Sequence, residues 1–217
     1  MGLKERALEV LKQYFGRVFG TFTEELDQAV GSVDSLLDVG CGPSSPIRFL
    51  SKRPARVIGY DGFKPSVDAS RSVRIHDEYV VDDLVNLRRH FAPRSVDCVI
   101  AIDVIEHFQK NDGLSFMSAM ESVASKKVII ITPNGFQPQA EHSGNSYQRH
   151  LSGWEVTEML GLGYSVSGLT GLKFLRGEYA QPTIRPAFLG NLMSRISQPL
   201  VRRNPRFAYH ILCVKNV

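Results

Sequence analysis

One ten-residue stretch limits the fold of this chain more than any other: Leu36-Leu37-Asp38-Val39-Gly40-Cys41-Gly42-Pro43-Ser44-Ser45. An apolar run ends in an acidic residue, and two glycines follow one residue apart. Ser45 suits a helix N-cap, and Pro46 suits the first helical position. The stretch therefore predicts a strand, a tight glycine turn and a helix over 46–52, the opening unit of a nucleotide-type α/β site.

Short apolar runs recur along the chain and predict further strands. The predicted strands are 35–39, 56–60, 78–81, 97–102, 127–131, 164–170 and 208–214. Helices are predicted between them at 65–72, 84–90 and 104–125. The residues from Ser152 to Glu155 have the pattern of a capping box, which predicts a further helix that ends at about Leu160. Runs rich in Val and Ile are typical of strands buried on both faces of a parallel sheet. The alternation predicts a doubly wound α/β domain that binds its ligand at the carboxyl ends of the strands.

Composition is that of a soluble globular protein, with 43% hydrophobic and 22% charged residues. The first residues do not resemble a secretory signal, and no apolar run approaches the ~18 residues that span a membrane. The three cysteines are far apart and lie in or beside strand-like runs. Reduced, buried thiols are therefore expected, and with them a cytoplasmic protein. We expect one domain over 1–217.

Basic residues concentrate in the last part of the chain. From residue 171 onward there are eight basic residues and one acidic residue, a balance of +7, whereas the whole chain carries +4. Much of this tail is an insertion over 171–206, between the last two strands, with an apolar helical stripe from Phe188 to Leu200 that Pro199 should end or kink. The insertion has three interpretations, in this order: a substrate-covering lid packed on the sheet, an interfacial helix at a membrane, and a contact with RNA.

Residues 1–30 predict an N-terminal helical cap. Apolar residues at helical spacing, among them Phe15, Phe19, Phe22 and Leu26, either pack against the domain or form a lid over a ligand.

The acidic residue after the second strand discriminates between cofactors. Asp61 can accept hydrogen bonds from both hydroxyls of an adenosine ribose, and it would repel the 2′-phosphate of NADP. Asp61 alone is also compatible with NAD as the cofactor. The dinucleotide fingerprint, however, needs a third glycine where this chain has Ser45, and Asp38 would lie close to a pyrophosphate. S-adenosylmethionine (SAM), which has no phosphates and a cationic amino-acid portion, suits Asp38 better.

Four segments resemble motifs of the class I SAM-dependent methyltransferases. They are 36–42 (the first motif), 60–61 (the ribose-binding acid), 81–84 (the adenine segment) and 97–108 (the fourth strand). The last of these includes the Glu106-His107 ending found in many small-molecule members. The resemblance covers roughly residues 30–170 and extends to the last strand; it departs at Ser44, where many members have a third glycine.

The resemblance implies a Rossmann-like sheet of seven strands in three α/β/α layers, with the last strand antiparallel between the fifth and sixth. It implies SAM as the cofactor. It also implies roles at the methionine end, where Gly40 and Gly42 allow close approach, Asp38 orients the group directly or through water, and Ile102 offers backbone contacts to the amine.

At the other end of the cofactor, the resemblance implies that Asp61 holds the ribose. Asp83, in preference to Asp82, would meet the adenine N6, with the Leu84 backbone near N1.

Methyl transfer from SAM is an in-line displacement, so the protein mainly aligns the reactants and removes water. A hydroxyl or amine acceptor can also need a base, for which His107 is the best placed residue, with Glu106 to orient it. A helix-start histidine bonded to the backbone is the alternative for His107. No metal site is predicted, although Glu106, His107 and a further ligand could bind a divalent ion, as suggested for some quinone-pathway relatives. The loop after the fifth strand, also expected at the site edge, contains His142, Tyr147, Arg149 and His150.

Taken together, the residues and the resemblance predict a SAM-dependent methyltransferase that acts on oxygen or nitrogen of a small acceptor. The acceptor could be lipophilic or associated with a membrane, and nucleic acid is disfavoured as a partner. Two alternatives stay open: an NAD-dependent Rossmann oxidoreductase and a non-catalytic interaction module with a methyltransferase fold. The oligomeric state is not predicted.

Overall fold

Strands of the computed structural model, which describes residues 20–141 and 145–217, form one sheet. In chain order they are β1 (Ser35–Val39), β2 (Arg56–Asp61), β3 (Glu78–Val81), β4 (Val96–Ile102), β5 (Ala124–Pro133), β6 (Ser165–Leu172) and β7 (Ala208–Asn216). Their spatial order is β3-β2-β1-β4-β5-β7-β6. The first five are parallel, and β7 is antiparallel to both β5 and β6. This confirms the doubly wound seven-stranded sheet with an antiparallel last strand.

Helices connect the strands and lie over the sheet. In the described residues they are α1 (Phe22–Val30), α2 (Lys64–Ser72), α3 (Leu87–His90), α4 (Lys110–Val123), α5 (Val156–Gly161) and α6 (Ala187–Arg203). Short turns of 3-10 helix precede α3 and α4, at Leu84–Asn86 and Ile105–His107.

Both faces of the sheet are buried, because neighbouring residues of a strand point to opposite sides. In β5, Ile130 joins one apolar cluster together with Phe116 of α4. Its neighbour Ile129 joins the other cluster together with Leu26 of α1. The continuous Val and Ile runs are therefore accounted for by burial on two sides.

Residues 1–19 of the predicted N-terminal cap lie outside the described residues. The rest forms α1, which begins at a capping box: the Thr21 hydroxyl accepts a hydrogen bond from the Glu24 backbone, and the Glu24 carboxylate accepts one from the Thr21 backbone. Leu26 and Val30 of this helix are buried against the sheet, so the described part of the cap packs on the domain.

The helix predicted over 46–52 is wrong in extent. Only one turn of 3-10 helix forms, Pro46–Phe49, with Ser45 at its N-cap as expected. The Asp27 carboxylate of α1 accepts hydrogen bonds from the Ser51 backbone at 2.8 Å and from the Ser51 hydroxyl at 2.7 Å. These tertiary bonds draw the chain away from a helical path.

The capping box predicted from Ser152 to Glu155 is also wrong. Helix α5 begins at Val156, and its N-cap residue Glu155 makes no side-chain capping bond. The Ser152 hydroxyl donates to the Ile105 carbonyl instead, and the Ser152 backbone donates to the Glu106 carbonyl. Burial of Trp154 in the core holds this segment extended, which moves the helix start three residues on.

The insertion over 171–206 contains the predicted helix as α6, and its apolar stripe does not pack on the sheet. Its polar residues Ser194 and Gln198 are buried beside β6, whereas Phe188, Leu192 and Ile196 of the apolar stripe face solvent. Pro199 does not end the helix, which continues to Arg203 because Val201 is buried in the contact with β6.

Candidate functional site

A cavity of about 350 Å³ lies at the carboxyl ends of β1 to β4. Of the predicted site residues, six line it: Gly40, Gly42, Asp61, Asp83, Leu84 and His107. They meet because parallel strands place the loops that follow them at one edge of the sheet. The other three predicted residues, Asp38, Ile102 and Glu106, do not line it.

The glycine turn after β1 forms one wall of the cavity. Gly40 and Gly42 have φ angles of 71° and 55°, in the region that favours glycine. A Cβ on Gly40 would lie 2.4 Å from Val104 Cγ2, so a side chain cannot be accommodated there. A Cβ on Gly42 would meet nothing within 4 Å, because it would point into open space beside the cavity. Gly40 thus serves packing, and Gly42 leaves room for a ligand.

Asp61, at the end of β2, holds the glycine turn in place. One carboxylate oxygen accepts a hydrogen bond from the Gly42 backbone at 2.9 Å, and the other accepts one from Phe63 at 2.8 Å. Burial raises the pKa of Asp61, and the two backbone hydrogen bonds oppose this shift.

The two candidate acids after β3 differ in their position relative to the cavity. Asp83 lines the cavity, and its carboxylate accepts a hydrogen bond from the Val85 backbone. Asp82 does not line the cavity, because its carboxylate is taken up by His90 and Asn86. The geometry therefore supports the stated preference for Asp83.

Asp38 lies in the core beneath the turn. Its carboxylate is buried and bonded to His76 Nε2 at 2.9 Å. The network continues from His76 Nδ1 to the Ser70 hydroxyl and from there to the Tyr79 hydroxyl. His76 could not be predicted from a local pattern, since it lies in the loop before β3 and reaches Asp38 only in the folded chain.

Asp103, the residue after Ile102, was not predicted as a site residue, although it follows β4 directly. It lines the cavity and has a φ angle of 52°, which is uncommon for a residue with a side chain. Its carboxylate lies 3.3 Å from His210 Nε2 of β7. The signal that could have found it is the same as for Asp61: an acid at the carboxyl end of a parallel strand.

Three side chains meet just beyond β4. Glu106, His107 and His150 each place one oxygen or nitrogen atom within 4.8 Å of the others'. The two imidazole rings contact each other, with centroids 4.9 Å apart. His107 Nδ1 donates to the Arg149 carbonyl, and His150 Nδ1 donates to the Gln137 carbonyl. In the neutral rings, Nε2 is therefore the unprotonated nitrogen.

Burial controls the protonation of this cluster. It lowers the pKa of both His107 and His150, which favours neutral imidazoles near pH 7. It raises the pKa of Glu106 well above its ordinary range, and the charge of Asp103 adds to the effect. One Glu106 oxygen accepts a hydrogen bond from Thr132, while the other is buried with no partner among the described residues.

The loop after β5 closes the other side of the cavity. Asn145, Tyr147, Gln148 and Leu151 all line it. The backbone of Leu151 donates to the Glu106 carbonyl at 2.8 Å, which ties the loop to the end of β4. Of the loop residues predicted at the site edge, His142 lies outside the described residues.

A second, more open cavity of about 610 Å³ lies beside the first. Its walls contain two residues predicted at the site edge, Arg149 and His150, and the aromatic side chains of Phe136, Tyr179 and Tyr209. His107 lines the first cavity and touches His150, which lines the second. The histidine pair therefore separates the two spaces.

Charges in the first cavity restrict its ligand. Its described lining contains four aspartates, Asp61, Asp83, Asp103 and Asp112, and neither lysine nor arginine. A pyrophosphate would be repelled there, whereas a cationic ligand without phosphates would be attracted. The open space at Gly42 and the acid at the end of β2 fit the methionine and ribose parts of SAM.

Comparisons with known proteins agree with this geometry. Residues 37–132 match a family model described as a methyltransferase domain. A search of curated proteins found no match.

Solved structures of SAM-dependent methyltransferases share the fold. A magnesium protoporphyrin IX methyltransferase from Synechocystis PCC 6803 with bound SAM is 16% identical, with a TM-score of 0.51 over 100% of this chain and 84% of that one. An enzyme from Mesorhizobium loti is 14% identical, with a TM-score of 0.58 over 92% and 100% of the two chains. One from Archaeoglobus fulgidus is 12% identical, with a TM-score of 0.56 over 95% and 99%.

Proposed function

We propose that this chain is a class I SAM-dependent methyltransferase that transfers a methyl group to an oxygen or nitrogen atom of a small lipophilic acceptor. The observation that carries the proposal is the position of the His107–His150 pair between an acidic cofactor cavity and a second cavity with aromatic walls.

The residues that would hold SAM come from the four strand ends. The turn at Gly40 and Gly42 would lie against the methionine part, and the Asp61 carboxylate would accept hydrogen bonds from the ribose. Asp83 and the Leu84 backbone would meet the adenine. These roles agree with their positions in the cavity wall.

Two predicted cofactor residues would act differently from the other five. Asp38 is occupied by His76, which supports a positioning role beneath the glycine turn over direct contact with the cofactor. Ile102 would act only through its backbone, which precedes the strained residue Asp103.

Bound SAM supplies an already activated methyl group. The protein must then align the acceptor, exclude water and take up the proton that a hydroxyl or amine loses. We assign the proton to His107 Nε2, because Nδ1 is already committed to the Arg149 carbonyl. Glu106 is a positioning residue: its backbone carbonyl anchors Leu151 and Ser152, and its buried carboxyl group does not line the cavity.

The second cavity is the proposed acceptor site. Its aromatic side chains suit a planar or lipophilic molecule, and the amides of Gln137 and Gln139 can orient a polar substituent.

Turnover tests the proposal directly. The protein is incubated with SAM and a panel of lipophilic phenols and amines, and methylated product and S-adenosylhomocysteine (SAH) are measured by mass spectrometry. His107→Gln should lower kcat at saturating SAM by about 100-fold or more, the usual contribution of a general base. The affinity for SAH should change by less than about threefold.

His90→Gln is the matched control, since His90 lies outside both cavities and pairs with Asp82. An unchanged kcat in His107→Gln would leave this histidine with a structural role only. SAH binding without turnover of any acceptor would support the non-catalytic module.

A divalent ion is the alternative use of the Glu106–His107–His150 cluster, because each of these residues offers one ligand atom within 4.8 Å of the other two. Turnover that is lost with a chelator and restored by Mg²⁺ or Mn²⁺ would favour it over a base. Turnover unaffected by a chelator favours the base.

An NAD-dependent oxidoreductase is not favoured. The Tyr-x-x-x-Lys spacing of short-chain members occurs at Tyr60 and Lys64. However, the Tyr60 hydroxyl is bonded to the Asp83 carbonyl at 2.5 Å, and the Lys64 ammonium pairs with Asp68 at 2.5 Å. The two side chains do not form a catalytic pair. Calorimetry with NAD and with SAH separates the two assignments, and we expect heat only from SAH.

A further inference from the structure

The helix α6 presents apolar side chains to solvent. Phe188, Leu192 and Ile196 are 67%, 51% and 58% exposed. They are four residues apart, so they lie on one side of the helix. The α6 apolar face consists of these three residues together with Leu189, Met193 and Leu200, which are also exposed.

The opposite, polar side holds α6 on β6. The Gln198 amide accepts a hydrogen bond from the Gly171 backbone at 3.1 Å and donates one to the Gly168 carbonyl at 2.9 Å. The Ser197 hydroxyl accepts one from the Leu172 backbone at 3.2 Å. Rotating the helix to bury its apolar face would break these bonds and leave buried polar groups without partners.

Glycines in β6 make this contact specific. A Cβ on Gly168 would lie 2.3 Å from the Val201 carbonyl, and one on Gly171 would lie 2.5 Å from the Ser194 carbonyl. Strand β6 therefore accommodates α6 only because both of these positions are glycines. The outward direction of the α6 apolar face follows from a close-fitted contact on its other side.

Exposed apolar side chains concentrate in this part of the molecule. The segment 174–207 contributes nine of the seventeen exposed large hydrophobic residues of the described chain: Phe174, Tyr179, Phe188, Leu189, Leu192, Met193, Ile196, Leu200 and Phe207. Monomeric soluble proteins do not usually expose apolar side chains in such a concentration without a partner.

Positive charge accompanies the apolar face. From residue 171 onward the chain has eight basic residues and one acidic residue. Arg185, Arg195, Arg203 and Arg206 are exposed in or beside α6. A helix with an apolar face and flanking arginines is typical of segments that lie in the plane of an anionic membrane surface.

We propose that α6 docks this protein on the surface of an anionic lipid bilayer, with the α6 apolar face in the acyl boundary and the flanking arginines at the headgroups. A second copy of the chain is the weaker occupant, because two copies joined through α6 would bring two strongly basic segments together. Among the described residues, none of the helices has the length and hydropathy that a membrane span requires.

The insertion that contains α6 also contributes to the wall of the second cavity. Gly177 and Tyr179, which precede α6 in the same insertion, line the second cavity. The docking itself does not depend on which acceptor the protein methylates.

Vesicle sedimentation of the full chain tests the docking. The protein should bind vesicles of phosphatidylcholine with about 30% phosphatidylglycerol at low salt, and lose this binding in phosphatidylcholine alone or in about 0.5 M NaCl. The triple variant Phe188→Ser, Leu192→Ser, Ile196→Ser should bind at least about tenfold more weakly. The double variant Arg203→Gln, Arg206→Gln should lose about fivefold per charge.

The triple variant Phe49→Ser, Val73→Ser, Leu160→Ser is the matched control. These residues are similarly exposed but lie on other elements, so binding should stay within about twofold of the wild type. The α6 triple variant should also keep the wild-type Tm and SAH affinity, because its side chains touch neither the core nor the cofactor cavity.

Three outcomes would overturn the proposal. The first is absence of binding to anionic vesicles at low salt. The second is a wild-type dimer in light scattering that the α6 triple variant dissociates, which would make the face an interface between copies. The third is a Tm several degrees lower in that variant, which would mean that another part of the chain covers the face.

Discussion

Replacing Gly42 with alanine should separate cofactor binding from folding. The residue has a φ angle of 55°, and its Cβ would meet no heavy atom within 4 Å. In the free protein the cost is therefore limited to the left-handed backbone of a residue with a side chain, about 1–2 kcal/mol. For a chain of this length, such a cost lowers Tm by about 2–8 °C.

The effect on binding should be larger than the effect on stability. The new methyl group would point into the space that we assign to the methionine part of SAM. Forcing an extra methyl into an occupied site costs about 1–3 kcal/mol. SAH should then bind about 5- to 150-fold more weakly.

Isothermal titration with SAH and thermal unfolding measure the two effects on the same samples. Gly31→Ala is the matched control: its φ angle is 59°, its Cβ would come no closer than 3.7 Å to another residue, and it does not line the cavity. It should lower Tm at least as much, because its ψ angle of -140° lies in a region that glycine adopts far more readily than alanine, and it should keep the wild-type affinity. If Gly42→Ala binds SAH as tightly as Gly31→Ala does, the cofactor does not lie over Gly42 and the assignment of this wall is wrong.

Gly168→Ala should lower Tm by about 2–12 °C, because its Cβ would lie 2.3 Å from the Val201 carbonyl; Gly161→Ala, with nothing within 4 Å, should not. An equal Tm in the two variants would contradict the close contact between α6 and β6. The pKa of Asp61 is raised by burial, so its carboxylate form is lost at a higher pH than in an exposed aspartate. The SAH affinity, measured by calorimetry, should therefore fall as the pH is lowered and Asp61 takes up a proton. Asp61→Asn should bind SAH weakly at every pH of the series. Burial raises the pKa of all three thiols, that of Cys98 to about 12, so none should react with Ellman's reagent at pH 8 until the protein is unfolded. Fast reaction of the native protein would contradict the burial of Cys41, Cys98 and Cys213.

Sequence reasoning was most successful where local pattern and chain direction suffice. The short apolar runs predicted β1 and β3 to the residue and placed the other strands within a few residues at each end. Because parallel strands end at a common edge, the residues after them, Asp61 and Asp83, could be expected to meet in one cavity.

Local pattern failed where a distant residue competes for the same groups. Ser152 has the spacing of a capping residue, but its hydroxyl donates to the Ile105 carbonyl and its backbone N–H donates to the Glu106 carbonyl. His76 and His150 lie far along the chain from the residues they contact. Their roles depend on loop paths, which no short-range pattern encodes.

The sequence by itself determined the order of strands and helices, the two-sided burial of the sheet and the acidic residues at its carboxyl edge. These follow from hydrophobic periodicity, which acts within each element. Only the tertiary structure decided that Asp38 pairs with His76, that His107 touches His150 and that α6 turns its apolar side outward. The physical reason is the same in each case: periodicity identifies two faces of an element, whereas the shape and hydrogen-bonding groups of its neighbour select which face is packed.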